Sequence, residues 1–298
     1  MDTNTKLLKK NAFRVTKHRG LTASRVRVPG GRMDAKYLDT IRRIAQTYGD
    51  GTVHITLRQG FEIPGIPFDK MPEVNEALQP LIEGLGINQP TPGSGYDTTA
   101  LARRIEQAVF PNDLHFKIAL TGCPNDCAKV RQHDFGIIGM TEPQFAPERC
   151  VSCGACVKAC QKKSSGALTS HNYRPQRDPQ RCIGCGECVQ ACPNLAWTRS
   201  ENKYFRLTLF GRSGKKNPRL GEDFIKWADA DSIVKIITNT YDYVKTYIDP
   251  NAPEGKEHIG YIVDRTGFEE YKRWALKDVH LPAIAEINDT LYWKGVHY

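Results

Sequence analysis

The chain has 298 residues, 40% hydrophobic and 25% charged, with a formal net charge of +9. That length can hold two or three domains with sizeable cores, and no run approaches the roughly 18 apolar residues a membrane helix needs, so no membrane span is expected. Basic residues are dispersed, without a tail-like block or a DNA-binding motif, so nucleic acid is not an expected partner. The stretch Met1 to Arg14 is polar and basic, with no apolar targeting core or small-residue cleavage site, and the expectation is a soluble, cytoplasmic protein. In that compartment the 10 cysteines point to metal or redox chemistry and away from disulfides. Metal-bound thiolates would cancel most of the positive charge, and a buried anionic cofactor or substrate would account for a basic interior.

In chain order, Ser24-Arg25-Val26-Arg27-Val28 alternates, with Arg25 and Arg27 opposing Val26 and Val28. Asp34 to Tyr48 reads as an amphipathic helix with Tyr37, Leu38, Ile41, Ile44, Ala45 and Tyr48 on one stripe, ended by Gly49. A strand at 52–58 sets His54, Thr56 and Arg58 opposite Val53, Ile55 and Leu57, and a helix follows near 72–85. This β-α-β-α order predicts an α+β unit with helices on one face of an antiparallel sheet. Thr98 to Phe110 is predicted helical and leads to a strand at 115–121, where His115 and Lys117 oppose Phe116, Ile118 and Leu120. Tyr204 to Phe210 alternates like a strand, and Ser232 to Ile248 is a helix with Ile233, Ile236, Ile237, Tyr241, Val244 and Tyr247 close to one stripe. Trp197, Trp227, Trp274 and Trp293 read as core or interface residues. Any one alternating strand fits an ordinary sheet with a wet face. Three of them, one running into a cysteine pair, favour a basic cavity that holds anions.

Cys150, Cys153, Cys156 and Cys160 form C-x2-C-x2-C-x3-C, and Cys182, Cys185, Cys188 and Cys192, followed by Pro193, repeat it. This is the spacing of bacterial two-cluster ferredoxins, in which the fourth cysteine of each run ligates the other cluster. The expected ligand sets are therefore Cys150, Cys153, Cys156 and Cys192 around one [4Fe–4S] cube, and Cys182, Cys185, Cys188 and Cys160 around another. Gly154, Gly184 and Gly186 permit the sharp turns. Zinc favours isolated C-x2-C pairs and fits two four-cysteine runs poorly. Gln161 stands where the second run has proline, which removes no ligand. Residues 146–198 thus read as a ferredoxin-like module inserted into a larger domain. The remaining pair lies in Thr121-Gly122-Cys123-Pro124-Asn125-Asp126-Cys127, on the turn after the 115–121 strand. C-x3-C is uncommon for zinc and too wide for a thioredoxin-like pair, and a buried pair of inert thiols stands beside the functional reading.

Three segments in order, Arg25-Val26-Arg27-Val28-Pro29-Gly30-Gly31, Thr56-Leu57-Arg58-Gln59-Gly60-Phe61-Glu62 and the Thr121–Cys127 turn, resemble the sirohaem-dependent sulfite and nitrite reductases. The cysteine module and Gly211-Arg212-Ser213-Gly214-Lys215-Lys216-Asn217-Pro218-Arg219-Leu220-Gly221 point, within that family, to the anaerobic sulfite reductases. The resemblance implies a ferredoxin-like half domain at 1–95, a sirohaem and iron–sulfur domain at 96–145 and 199–298, and the 146–198 module between. It implies a third [4Fe–4S] cube joined to sirohaem, with Cys127 as the bridging thiolate and Cys123 as a cluster ligand. His54, Thr56, Arg58, Arg212, Lys215 and Arg219 become candidates for the carboxylates of sirohaem. Arg25 or Arg27 and Lys117 match substrate-binding positions, and His115 stands where a second lysine often sits. The implied activity is an oxidoreductase that takes sulfite to sulfide with six electrons, which arrive through the two module cubes. No G-x-G-x-x-G opens a βαβ unit, so partner subunits, iron–sulfur and flavin- or NADH-oxidising, would supply them. Nitrite reduction and a non-catalytic electron-transfer subunit are the alternatives. One departure bears on them: the family's catalytic cube takes two more cysteines from an earlier C-x5-C pair, which would fall between Gly95 and Tyr96 and is absent. Either that segment is missing from this sequence or the chain has lost the full centre, and the intact flanking motifs favour the first.

Overall fold

The computed structural model describes residues 13–16, 18–28, 31–56, 60–84, 98–109, 114, 116–214, 218–252 and 257–291. Arg58, His115, Lys215, Trp293 and the Gly95–Tyr96 junction lie outside these residues. The chain forms two compact units, Met1–Asp113 and Leu114–Tyr298.

In the first unit, β1 (Phe13–Val15), β2 (Leu21–Val26), β3 (His54–Ile55) and β4 (Phe61–Pro67) form an antiparallel sheet in the order β1-β2-β4-β3. Helices α1 (Tyr37–Tyr48), α2 (Met71–Gly84) and α3 (Thr98–Val109) complete the unit. Just ahead of α1, the Asp34 carboxylate accepts from the Lys36 N–H at 3.0 Å. The helix stops at Gly49, where a side chain would come within 2.6 Å of the Pro64 carbonyl. Its stripe buries Ile41, Ile44 and Ala45 in one core with Ile63 and Ile66 of β4 and Val74, Leu78 and Leu81 of α2, the α+β arrangement expected. Leu38, placed on that stripe by period, is instead 50% exposed. The strand expected at 52–58 is, among the described residues, only His54–Ile55, and both are exposed, Ile55 at 82%. An edge strand has one hydrogen-bonded neighbour and little to cover it, and of the predicted apolar face Val53 packs against the core while Ile55 does not. Helix α3 belongs to the first unit, whereas the sequence reading starts the second domain at 96.

The second unit runs from β5 (Ile118–Thr121) and β6 (Phe135–Met140) through β7 (Pro143–Phe145), α4 (Ala155–Lys163), the hairpin β8 (Leu168–His171) and β9 (Arg174–Arg177), α5 (Glu187–Ala191) and β10 (Trp197–Arg199). It continues through β11 (Tyr204–Leu209), β12 (Glu222–Ala228), α6 (Ala230–Tyr247), α7 (Ile259–Thr266), α8 (Phe268–Ala275) and β13 (Glu286–Ile287). Five strands make one sheet in the order β13-β12-β11-β6-β5, with β5 and β6 parallel and the other pairs antiparallel. Because β6 and β11 pair with Met140 opposite Tyr204, the whole of 141–203 is an excursion between adjacent strands. Its neck is the antiparallel pair β7–β10, in which Phe145 faces Trp197 and Pro143 faces Arg199.

Strand β11 lies at the middle of the sheet, and all six of its residues are buried, Arg206 and Thr208 included. The strand is where alternation put it, but it has no wet face, because both sides of the sheet are covered. Arg206 meets this burial by donating to Asp223 at 3.0 Å, a carboxylate that also binds Arg131. Helix α6 starts at Asp229, whose side chain accepts from the Ser232 N–H at 2.8 Å. It buries Ile233, Ile236, Ile237, Tyr241 and Val244. Trp197 and Trp227 are core residues, as expected.

Candidate functional site

The cysteine module contains two hollows. Cys150, Cys153, Cys156 and Cys192 line the first, and Cys160, Cys182, Cys185 and Cys188 line the second. The fourth thiol of each run has crossed over because single helices serve both hollows: α4 carries Cys156 and Cys160, and α5 carries Cys188 and ends at Cys192. Among the described residues no three His, Cys, Asp or Glu side chains converge on a point that would hold one metal ion. The thiols surround a volume instead, which is the donor arrangement a cluster of several irons uses.

The thiols are not equivalent. Burial, with Cys182 and Cys185 close by, pushes Cys188 up to about 12, and burial raises Cys156 as well. At Cys192 burial acts the same way, but the N–H groups of Trp197, Ala196, Asn194 and Leu195 outweigh it and the thiol is lowered. The Ala196 N–H donates to Cys192 Sγ at 3.2 Å. Four thiolates in one hollow repel one another, so a cationic iron group is what would let them ionise together.

Cys123 and Cys127 follow β5 on a tight turn and both are exposed, which removes the reading of a buried inert pair. Asp126, at φ 47° in the left-handed region, turns the chain. Its N–H donates to the Cys123 carbonyl at 3.2 Å and its carboxylate accepts from the Val130 N–H at 2.7 Å. A Cβ at Gly139 would stand 2.5 Å from the Gly122 carbonyl, so only glycine lets β6 approach the start of this turn. Met140, the next residue, packs with Tyr204, Trp227 and Cys182. A Cβ at Gly184 would lie 2.8 Å from that of Met140. The second hollow therefore sits on the same strand end that leads, through Gly139 and Gly122, to Cys123.

The cationic candidates are held by specific partners. Arg25 is half-buried and bonds Glu62, and Arg27 is exposed and paired with Glu106. Burial tends to raise Glu62, but Arg25 and then Arg14 outweigh it and hold the carboxyl below its usual range. His54 is exposed, opposite Glu62 in register, and Thr56 Oγ1 accepts from the Gly60 N–H at 3.2 Å. In the second unit Arg212 and Arg219 are brought together by a pair of backbone hydrogen bonds of 2.8 Å each. The Arg212 guanidinium lies 4.0 Å over the Tyr261 ring, and Arg219 reaches Asp264 at 3.6 Å with its side chain 5% exposed. Burial pushes Arg219 below its usual range, against the pull of Asp264. Lys117 is half-buried and its backbone N–H donates to the Asp134 carboxylate at 2.9 Å.

Sequence reasoning missed the residues that hold these candidates. Asp134 is buried and faces His258 Nδ1 at 3.0 Å across 124 residues of chain, a pairing that no local spacing signals. Tyr261 and Asp264 come from the same helix, α7, and Gly260 gives Arg219 its room, since a side chain there would run into the guanidinium.

Two family descriptions match the chain: the nitrite/sulfite reductase ferredoxin-like half domain over residues 15–81, and the nitrite and sulphite reductase 4Fe-4S domain over residues 87–282. The C subunit of the anaerobic sulfite reductase of Salmonella typhimurium is 37% identical over 314 residues, covering 95% of this chain and 92% of that protein. The aligned length exceeds the 298 residues present here, so that relative carries residues without a counterpart in this chain. The coenzyme F420-dependent sulfite reductase of Methanocaldococcus jannaschii is 33% identical over 148 residues, 45% of this chain and 24% of that protein. Among solved structures, dissimilatory sulfite reductase I has the same fold with a TM-score of 0.63 at 17% identity, over 92% of this chain and 74% of that one.

Proposed function

The chain belongs to the nitrite and sulfite reductase family, and on that premise we propose that this oxidoreductase is a cytoplasmic sirohaem and iron–sulfur protein that reduces sulfite to sulfide, drawing six electrons from partner subunits. The observation that carries the reading is the pair of four-thiol hollows, the second seated on the strand end that leads to Cys123 and Cys127. The donor sets fit two [4Fe–4S] cubes, which when bound take up and release electrons singly. For a third cube, Cys123 and Cys127 supply two thiolates of four, Cys127 being the one the resemblance marks as the bridge to sirohaem. Arg212 and Arg219 are guanidiniums withheld from water, and a desolvated cation gains most from an anionic partner. With His54, Thr56, Arg58 and Lys215 they are assigned to the carboxylates of sirohaem. Arg25 or Arg27, Lys117 and His115 are assigned to the sulfite anion, and Glu62 and Glu106 hold the two arginines until it binds.

Anaerobically purified protein supplied with sirohaem tests this. Three cubes give about twelve cluster irons per chain, with chlorin-type absorption and sulfite turnover by a reduced dye. Iron–sulfur absorbance without chlorin bands or turnover would sink it. That outcome, at about eight irons, is the expectation of a second reading, a non-catalytic protein that only transfers electrons. The absence of an earlier C-x5-C pair is what motivates that reading. Comparing kcat/KM for sulfite and nitrite separates the two substrates.

A further inference from the structure

We propose that the surface around the first hollow is the docking face for an acidic electron-donor protein, which makes that hollow the receiving one and the second the one that passes electrons inward. The proposal rests on the two-cube reading above.

The two hollows differ in what surrounds them. The second is fastened to the sheet: the Thr141 N–H donates to the Gly184 carbonyl at 2.7 Å, Lys226 Nζ to the Gln180 carbonyl at 3.0 Å, and Cys182 packs on Met140, Tyr204 and Trp227. The first opens to solvent beside Val151, Tyr173 and Leu195, which are 60%, 84% and 61% exposed. These are three of the seven large hydrophobic side chains exposed among the described residues. Val151 and Tyr173 line the hollow, and Leu195 sits between Asn194 and Ala196, which also line it. Single exposed apolar residues are ordinary, but three around one opening mark a contact surface. The backbone supports this. Ser152, Tyr173 and Leu195 have φ of 59°, 59° and 53°, a left-handed conformation that bulky residues adopt at a cost.

The rim is cationic. Arg149 forms part of the wall, and the exposed Arg174 is held in place by donating to the carbonyls of Pro147 and Cys150 at 2.7 and 3.0 Å. Glu148 is the one acidic neighbour in that stretch of sequence. An apolar centre with a basic rim fits a partner whose own contact face is apolar and acidic, since complementary charge speeds encounter and fixes orientation. Docking there brings the donor's reduced centre to Cys153, which is exposed. One electron leaves that centre, oxidising it, and reduces the group held by Cys150, Cys153, Cys156 and Cys192. No atom is transferred.

The test is stopped-flow bleaching of cluster absorbance in the holoprotein, with two reductants: reduced plant-type [2Fe–2S] ferredoxin as the acidic protein probe, and reduced methyl viologen, a small cation that needs no docking face. In Arg149→Glu/Arg174→Glu and in Val151→Asp/Leu195→Asp the ferredoxin rate constant falls at least tenfold, while the viologen rate stays within twofold. Leu38→Asp, an exposed apolar site on α1, changes neither. Unchanged ferredoxin rates in both double variants overturn the proposal, and so does an equal loss with both reductants. A wild-type dimer in sedimentation that Val151→Asp/Leu195→Asp dissolves would give the face to a second copy and overturn it too. Wild-type protein without iron–sulfur absorbance defeats the two-cube reading itself, a failure visible before any reductant is mixed.

Discussion

Removing the Asp134 carboxylate should loosen the strand that carries Lys117. Asp134 is 2% exposed, accepts from the Lys117 N–H at 2.9 Å, and meets His258 Nδ1 at 3.0 Å. Its own carbonyl accepts from the Phe210 N–H at 2.7 Å, so the residue ties the start of β5 to α7 and to the end of β11. In Asp134→Ala two hydrogen bonds to a charged group are lost, at roughly 1.5–3 kcal/mol each. His258 is 22% exposed and can turn to water, so the lower end applies and the cost is about 3 kcal/mol. For a unit of this size that lowers the melting temperature by roughly 6–12 °C, read by circular dichroism at one scan rate. Asp134→Asn keeps one acceptor and should lose about half as much. A cycle with His258→Ala should show coupling of about 1–2 kcal/mol, because the two groups touch. Melting of Asp134→Ala within about 2 °C of wild type, by the same scaling, would refute the reasoning.

Four further outcomes are expected. Cys192→Ser should open Cys150, Cys153 and Cys156 to alkylation while Cys182, Cys185 and Cys188 stay protected, and Cys160→Ser should do the reverse; labelling that follows the sequence runs instead would contradict the crossed sets. In metal-free protein Cys192, lowered, should alkylate well ahead of Cys188, raised to about 12. The unfolded chain ionises Cys188 near its ordinary 9.0, so the stability this thiol contributes is present below that pH and lost as pH climbs towards 12; urea midpoints that are flat across this window would count against it. Glu270 links α8 to the end of α6 by bonding Arg273, Tyr247 and Trp274, and these partners, Arg273 first, hold it down to about 2. Its contribution is present above its ordinary 4.5 and lost as pH falls towards 2, so Glu270→Gln should flatten the acid side of the stability profile.

The cysteine module was legible in the sequence because a cluster's ligands are set locally. Three thiols within seven residues wrap one hollow, and two repeated runs say that there are two such hollows. Even the crossing follows from spacing, since α4 and α5 each carry a thiol for either side. Helices α1 and α6 were legible for the same reason, a 3.6-residue period with one buried stripe. Burial of strands was not. Alternation marks a strand, but whether it lies at an edge, like His54–Ile55, or at the centre, like Tyr204–Leu209, depends on neighbours far along the chain. The basic faces illustrate the same limit. Arg25 and Arg27 look like bare cations in sequence, and only the fold brings Glu62 and Glu106 to them, 37 and 79 residues away.

Local spacing carries the chemistry: eight thiols in two crossed sets, two more on a strand-end turn, and cations enough for anions. How that chemistry is oriented comes from the long-range fold. Inserting 141–203 between paired strands presses Cys182 against Met140 and leaves the first hollow reaching solvent at Cys153. Ligand spacing is a property of a few consecutive residues, whereas which hollow faces the sheet is a property of strand pairing across some sixty, and no local pattern records it.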